Sequence, residues 1–461
     1  MEQDSRTVDQ DKTEPDSRSG LLIGILLAVF GVAFQMVGVV AALPDVMRAL
    51  DGEAHYAWAF SGMVMGMLLS LLVAGPYADR RGPLRPMTVG FALFLLGLVG
   101  AMVAIDVPTL IGARILQGLG GGAMNLSLFV VIALGFPGSR RPTVMSWLSL
   151  CWVLPAFVGP PISALLVQVN WRLVFVLGIP ILMAAALLMT PQVKRLQAGF
   201  QPAEGRTRNP AWAVAVVSVS PALLQLTGIL PLPWSIASGV AAVLGLLIAV
   251  PAVLPERVRS LRQGLGPMAA TRALQAGAFF AAEAFLLVGL QDLRGLNGLQ
   301  AGVALTIGSL GWSCGSWLQS RSWLRLRRDQ IITLGTGLGV LGIAGLTTFM
   351  VWTWVPIVVA VFAWAIAGCG MGLMMASTAV ATMALSSPQE QGRNSSALQV
   401  SETLGNSLLT AAAGAVHAGL LARGLPSLGW VFLVLLLAIV TALGLSLRTG
   451  PIRDEVPAGG R

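Results

Sequence analysis

Charge is scarce in these 461 residues: Asp, Glu, Lys and Arg together make up 11%, against 56% hydrophobic residues and a mean hydropathy of +0.80. No water-soluble fold hides so much apolar side chain, which excludes soluble enzymes, secreted domains and nucleic-acid binders. Lysine is nearly missing, at Lys12 and Lys194, and histidine is confined to His55 and His417, too little for a metal site. Cys151, Cys314 and Cys369 lie in apolar runs and read as buried thiols, not a disulfide framework. No Gly-x-x-x-x-Gly-Lys-Ser/Thr loop occurs, which argues against ATP hydrolysis. A lipid-modifying membrane enzyme needs a His, Asp or Cys cluster at headgroup depth; none is visible, and no enzyme activity or cofactor is expected.

What is present is a series of apolar runs, each long enough for a hydrocarbon core of about 30 Å. Fourteen can be drawn, near 21–44, 57–78, 86–105, 108–134, 142–168, 172–190, 211–226, 234–254, 271–291, 299–318, 330–351, 355–385, 394–420 and 428–447. The fold class is therefore an all-α polytopic membrane protein. Residues 1–20, with six acids, read as a disordered cytoplasmic tail, residues 448–461 as a second tail, and no cleavable signal peptide is expected.

Alternating the connections tests this layout independently, because cytoplasmic loops collect Lys and Arg. One set of connections holds 24 basic residues, among them Arg80, Arg81, Arg85, Arg140, Arg257, Arg272 and Arg393; the other holds four, Arg48, Arg172, Arg294 and Arg423. Both termini are expected in the cytoplasm, with the basic loops contacting anionic lipid. Arginine-rich, alanine-rich usage suggests a GC-rich bacterial genome and hence the plasma (inner) membrane.

Gly118, Gly120, Gly122 and Met124 recur 250 residues later as Gly368, Gly370, Gly372 and Met374. The chain thus divides into related halves, six spans in 21–190 and six in 271–447, with two inserted spans in the linker 191–270. Parallel six-span repeats mark rocking-bundle transporters with a substrate site between the halves.

The loop after the second span, Gly75-Pro-Tyr-Ala-Asp79-Arg80-Arg81-Gly82-Pro83-Leu84-Arg85, resembles the cytoplasmic loop signature of the major facilitator superfamily. Gly75 permits close helix approach, Gly82-Pro83 makes a tight turn, and Asp79 can pair with nearby arginines as a latch that breaks on rocking. The second half has Gln319 in the equivalent place, so its latch is degenerate. Leu110-Ile-Gly-Ala-Arg114 to Gly122 resembles the superfamily's fourth-span motif. An intramembrane arginine needs a polar interior and a partner, and helical spacing puts Asn125 on the same face as Arg114. Pro155-Ala-Phe-Val-Gly159-Pro160-Pro161 is similar to the motif marking exporters and antiporters, and Asn170-Trp171-Arg172 resembles the fourteen-span drug:proton antiporters. This resemblance, over about residues 20 to 450, implies two six-helix bundles with two extra inserted helices.

In that family an acid precedes the Ala-Leu-Pro ending of span one; here Ala42-Leu43-Pro44 is kept but Gln35 stands in the acidic place. The acids left well inside spans are Glu283 and Glu402. Ser395, Gln399, Glu402, Asn406, Thr410 and His417 form one polar stripe on an otherwise apolar helix, suited to line an aqueous cavity where a carboxyl can load and release protons. Coupling is expected at Glu402 or Glu283 with Arg114, and a substrate cavity at Phe34, Gln35, Asn125, Trp152, Phe157, Phe280, Gln399 and Asn406. The expected function is proton-coupled export of hydrophobic or amphiphilic small molecules by a monomer in contact with membrane lipids; the alternative is an exporter or flippase of envelope lipid with weak or no proton coupling.

Overall fold

A computed structural model describes residues 15–452 except 138–139, 199, 201–208, 322–323, 325 and 387–389. Every described element is helical. Helix α1 (Pro15–Ala33) begins within the expected tail, so 15–20 are helical; Pro15 sits at the first position, where its missing N–H costs nothing. Residues 1–14 lie outside the described residues. A π-helical turn, Phe34–Gly38, and a 3-10 turn, Val39–Ala42, carry α1 into α2 (Leu43–Ala49). There follow α3 (Tyr56–Arg81), α4 (Leu84–Met102), α5 (Val107–Gly135), α6 (Arg141–Val169), α7 (Leu173–Val176), α8 (Gly178–Gln197), α9 (Ala211–Leu226) and α10 (Trp234–Val253). After the short α11 (Glu256–Arg259) come α12 (Leu265–Asp292), α13 (Gly298–Leu318), α14 (Arg328–Val351), α15 (Ile357–Ala384), α16 (Gln391–Leu421) and α17 (Leu428–Ser446). Among the described residues, twelve helical segments are long and apolar enough to cross a membrane; α9 has only 16 residues, and α13 interrupts its 21 with glycine and serine. This is a multi-pass membrane protein.

Local chemistry sets the helix ends. Asp106 caps α5 by accepting the Thr109 N–H at 2.8 Å, and the side-chain and backbone bonds from Thr109 hold its carboxyl below the usual range. Gly82, at φ 83°, turns the chain between α3 and α4, clasped by Gln197, whose Nε2 donates to Arg81 O.

The glycine repeat has a physical role in both halves. A Cβ on Gly118 would lie 2.0 Å from Met63 O of α3, and one on Gly120 would lie 2.5 Å from Gly90 O of α4. In the second half a Cβ on Gly368 would lie 2.1 Å from Gly308 O of α13, and one on Gly370 would lie 2.3 Å from Gly335 O of α14. Helix α5 is thus wedged backbone to backbone between α3 and α4, and α15 in the same register between α13 and α14. The two bundles share one construction.

They meet at the end remote from the arginine-rich connections. There the Tyr56 hydroxyl donates to Ala284 O at 2.9 Å, Arg48 donates to Gln291, and the Tyr56 and Phe285 rings cross at 5.9 Å. On one flank α6 rests on α13; on the other α3 rests on α16, overlaid by the α9–α10 hairpin.

Candidate substrate and coupling site

Helix α12 begins after Gly264, at φ 86°, which places Arg272 two turns inside the helix and not in the loop where its arginine neighbours suggested. From there its Nε and Nη2 donate to Glu402 Oε2 of α16 at 2.9 and 2.7 Å. Its Nη1 donates to Met375 O and Thr378 Oγ1 of α15 at 3.2 and 2.9 Å. The guanidinium is held from α15 by one edge and offers the other to Glu402. The two side chains stay 12% and 19% exposed, so the pair is partly open. Gly264 followed by Pro267 in the first helical turn is the signal that could have placed Arg272 correctly.

The predicted stripe on α16 grades from half-buried Ser395, Gln399 and Glu402 to buried Asn406, Thr410 and His417. Thr410 donates to Asn406 Oδ1 at 3.2 Å, and His417 Nδ1 shares a 2.8 Å bond with Ser427. The stripe is thus accessible toward the basic end and sealed toward the other. Half-buried Phe280 packs against Phe279 and Trp312, with ring centroids 5.7 and 6.0 Å away. Phe157 is half-buried and Trp152 exposed. Glu283 is only 5% exposed and makes no ion pair among the described residues; it adjoins Ala284, whose carbonyl takes the Tyr56 bond closing the far end.

Arg114 is buried in the first bundle. Its Nε donates to Ala59 O at 3.1 Å, and Nη1 donates to Gln117 Oε1 at 2.7 Å and to Gln35 O at 3.3 Å. Its partners are carbonyls and an amide, not an acid; half-buried Asn125, farther along α5, is not among them. Gln35 lies in the π turn, a distortion frequent at functional sites, and its Nε2 donates to Val174 O at 3.1 Å. Phe34 and Gln35, at 1% and 0% exposure, are packed within the bundle in this conformation. Bonds to a charged donor contribute about 1.5–3 kcal/mol each, so Arg114→Met is expected to destabilise the protein by about 2 kcal/mol or more. Thermal unfolding of the purified protein in detergent checks this; an unchanged midpoint would contradict it.

In α6 the predicted motif forms a joint. Proline at 160 and 161 removes the N–H groups that would bond Ala156 O and Phe157 O. Hydroxyls of the opposite bundle face both carbonyls: Ser309 Oγ donates to Ala156 O at 3.2 Å, and Thr306 Oγ1, which also reaches Gly302 O of its own helix at 3.2 Å, lies 3.5 Å from Phe157 O. A Cβ on Gly159 would lie 2.9 Å from Gly38 Cα, so α6 also abuts the π turn; Pro155 is buried a turn earlier. Sequence reasoning missed Ser309 and Thr306.

Most of the predicted loop motif is helical, in the last turns of α3 and the first of α4: Gly75 faces Leu126 of α5, and Tyr77 lies under Arg81 while accepting from Arg85 Nη1 at 3.4 Å. Arg80 is exposed, and the Asp79 side chain lies outside the described residues. In the second half Gln319 accepts from Arg328 Nη1 at 2.6 Å, tying the end of α13 to the start of α14.

The sequence profile of the Major Facilitator Superfamily matches residues 24–410. The efflux pump dotC of Dothistroma septosporum is 30% identical over 161 residues, covering 35% of this chain and 28% of dotC. Multidrug resistance protein Stp of Mycobacterium tuberculosis is 29% identical over 163 residues, or 34% of this chain and 30% of Stp. The MFS-type transporter EfpA of the same species is 26% identical over 315 residues, or 65% of this chain and 58% of EfpA. The chain spans under a third of the length of dotC and Stp. A solved POT family transporter in complex with a thioalcohol-conjugated peptide superposes with a TM-score of 0.70 at 16% identity, covering 93% of this chain and 96% of that one, a likeness of fold alone. With the duplicated bundles and the profile match over most of its length, the chain belongs to the Major Facilitator Superfamily, a family of membrane transporters and not of enzymes.

Proposed function

We propose that this transporter exports hydrophobic or amphiphilic small molecules by alternating access, with proton exchange at Glu402 as the coupling step. The observation that carries this reading is the Arg272–Glu402 pair, set in a half-buried wall that is accessible from the basic end and sealed at the other. In the proposed topology fourteen helices cross the plasma membrane of a bacterium, both termini and the basic loops are cytoplasmic, and the division is 21–190, 191–270 and 271–447. The structure then corresponds to a carrier open to the cytoplasm. Substrate lodges against Phe280, Phe157 and Trp152 with its polar end near Gln399 and Glu402. A proton arriving from outside discharges Glu402, breaks its pair with Arg272 and displaces the substrate. Glu283, behind the closed end, meets the outside when that end opens, and Asp79 with its neighbouring arginines latches the loop. The efflux and multidrug names of the relatives support export.

A second reading, an envelope-lipid exporter with weak proton coupling, is favoured by Gln35, which replaces the family's acid and lies sealed in its π turn. One experiment separates the two. Inverted vesicles containing the monomeric protein should accumulate a fluorescent cationic dye under an imposed proton gradient, and should lose it when the gradient collapses. Dye uptake no higher than in empty vesicles, with translocation of a labelled phospholipid, would replace the first reading by the second.

A further inference from the structure

The two inserted helices are apolar and uncharged, and their packing is one-sided. Along its inner face α9 contacts both bundles on one flank. At its start Asn209 Nδ2 donates to Leu72 O of α3 at 3.3 Å. Through its middle, Ala213, Val214 and Val217 form a single buried cluster with Leu68 and Leu72 of α3, Ala249 of α10 and Leu404 of α16. At its end Gln225, 1% exposed, accepts from Ser61 Oγ of α3 at 2.7 Å. The same glutamine abuts Gly414 of α16, and a Cβ on Gly228 would lie 2.3 Å from Ala415 O, so the chain after α9 touches the backbone of α16. The contacts therefore run along the seam where the two bundles meet. The hairpin's other face is apolar and open: Val243, Leu244, Leu247 and Ile248 of α10 are each more than half exposed.

We propose that α9 is a lateral seal, which closes the α3–α16 seam to bilayer lipid while α10 carries the lipid-facing surface that α3 and α16 would otherwise present. The physical need is plain. Rocking bundles shear along their seams, and a seam open to hydrocarbon lets acyl chains into a cavity lined by an ion pair. A helix without charged side chains can lie in the bilayer beside the seam with no charge to desolvate, and small residues at Gly228, Gly414 and Ala415 bring it to backbone contact. The seal does not depend on which substrate is carried or on proton coupling, and the experiment needs neither.

The test uses the full chain in nanodiscs containing a phosphatidylcholine with a diazirine in its acyl chain, and maps the photolabelled residues by mass spectrometry. In the wild-type protein Leu247 and Ile248 of α10 are expected to label strongly and Leu68, Leu72 and Leu404 to stay at background. Gly228→Leu forces the chain away from Ala415 without touching Arg272 or Glu402, and labelling of 404–415 on α16 should rise severalfold. If that variant does not fold, the double substitution Val214→Ala and Val217→Ala thins the seal without forcing any backbone apart, and Leu68, Leu72 and Leu404 should then label. The proposal is overturned if Leu68 or Leu404 labels as strongly as Leu247 in the wild-type protein, or if a folded variant leaves the seam at background.

Discussion

Glu402→Gln is expected to abolish gradient-driven accumulation in inverted vesicles while leaving substrate binding in place. The substitution keeps the shape and hydrogen-bonding reach of the side chain and removes its charge and its proton. If substrate and proton exchange at this carboxyl, wild-type affinity measured without a gradient should weaken on acidification. Coupling free energies of about 1–3 kcal/mol correspond to about 5- to 150-fold in affinity, so the wild-type change between neutral and acid pH should fall in that range and the variant should show almost none. Glu283→Gln provides the contrast. Glu283 lies behind the closed end and does not touch Arg272, so in the exchange proposed for Glu402 its loss should slow transport and preserve the pH dependence of binding. Concentrative export by the Glu402→Gln protein would remove Glu402 as coupler. Loss of pH dependence in Glu283→Gln alone would move the exchange to α12.

Much of this arrangement could be read from residue order, for identifiable reasons. Long apolar runs give membrane helices directly, since length and hydropathy are local properties. The glycine repeat was legible because every second glycine serves a different neighbouring helix: Gly118 and Gly368 face α3 and α13, and Gly120 and Gly370 face α4 and α14. The stripe on α16 was legible because helical spacing alone aligns Gln399, Glu402 and Asn406. Partners were not. Arg114 reads correctly as an inward arginine needing a polar neighbour, but spacing along α5 can only point to its own helix. The carbonyls of Ala59 and Gln35, which take its charge, are brought in by α3 and by the π turn. Arg272 was lost in a run of arginines at 257, 259 and 262 that share its charge and not its environment. Ser309 and Thr306 carry no signal at all until α13 is placed against the donor-free stretch before Pro160 and Pro161.

The same pair makes a prediction about stability that is independent of transport. Arg272→Gln leaves the Glu402 carboxylate without its cation and Thr378 Oγ1 and the Met375 carbonyl without their guanidinium donor, in a wall where the Glu402 side chain is 19% exposed. Breaking a buried pair by removing one partner costs about 3–5 kcal/mol, and residual solvent access places this site toward the low end of that range. The double substitution Arg272→Gln with Glu402→Gln removes both charges, so it should recover most of the loss and unfold close to the wild-type temperature. Arg272→Lys keeps the charge and loses the planar fork that reaches Glu402 and the two α15 acceptors together, so it should fall between Arg272→Gln and the wild type. Thermal unfolding of the four purified proteins at neutral pH provides the comparison. Recovery in the double variant identifies electrostatic pairing as the source of the loss. A double variant as unstable as Arg272→Gln would assign the loss to Arg272's bonds with α15, and Glu402 would then owe nothing of its stability to charge.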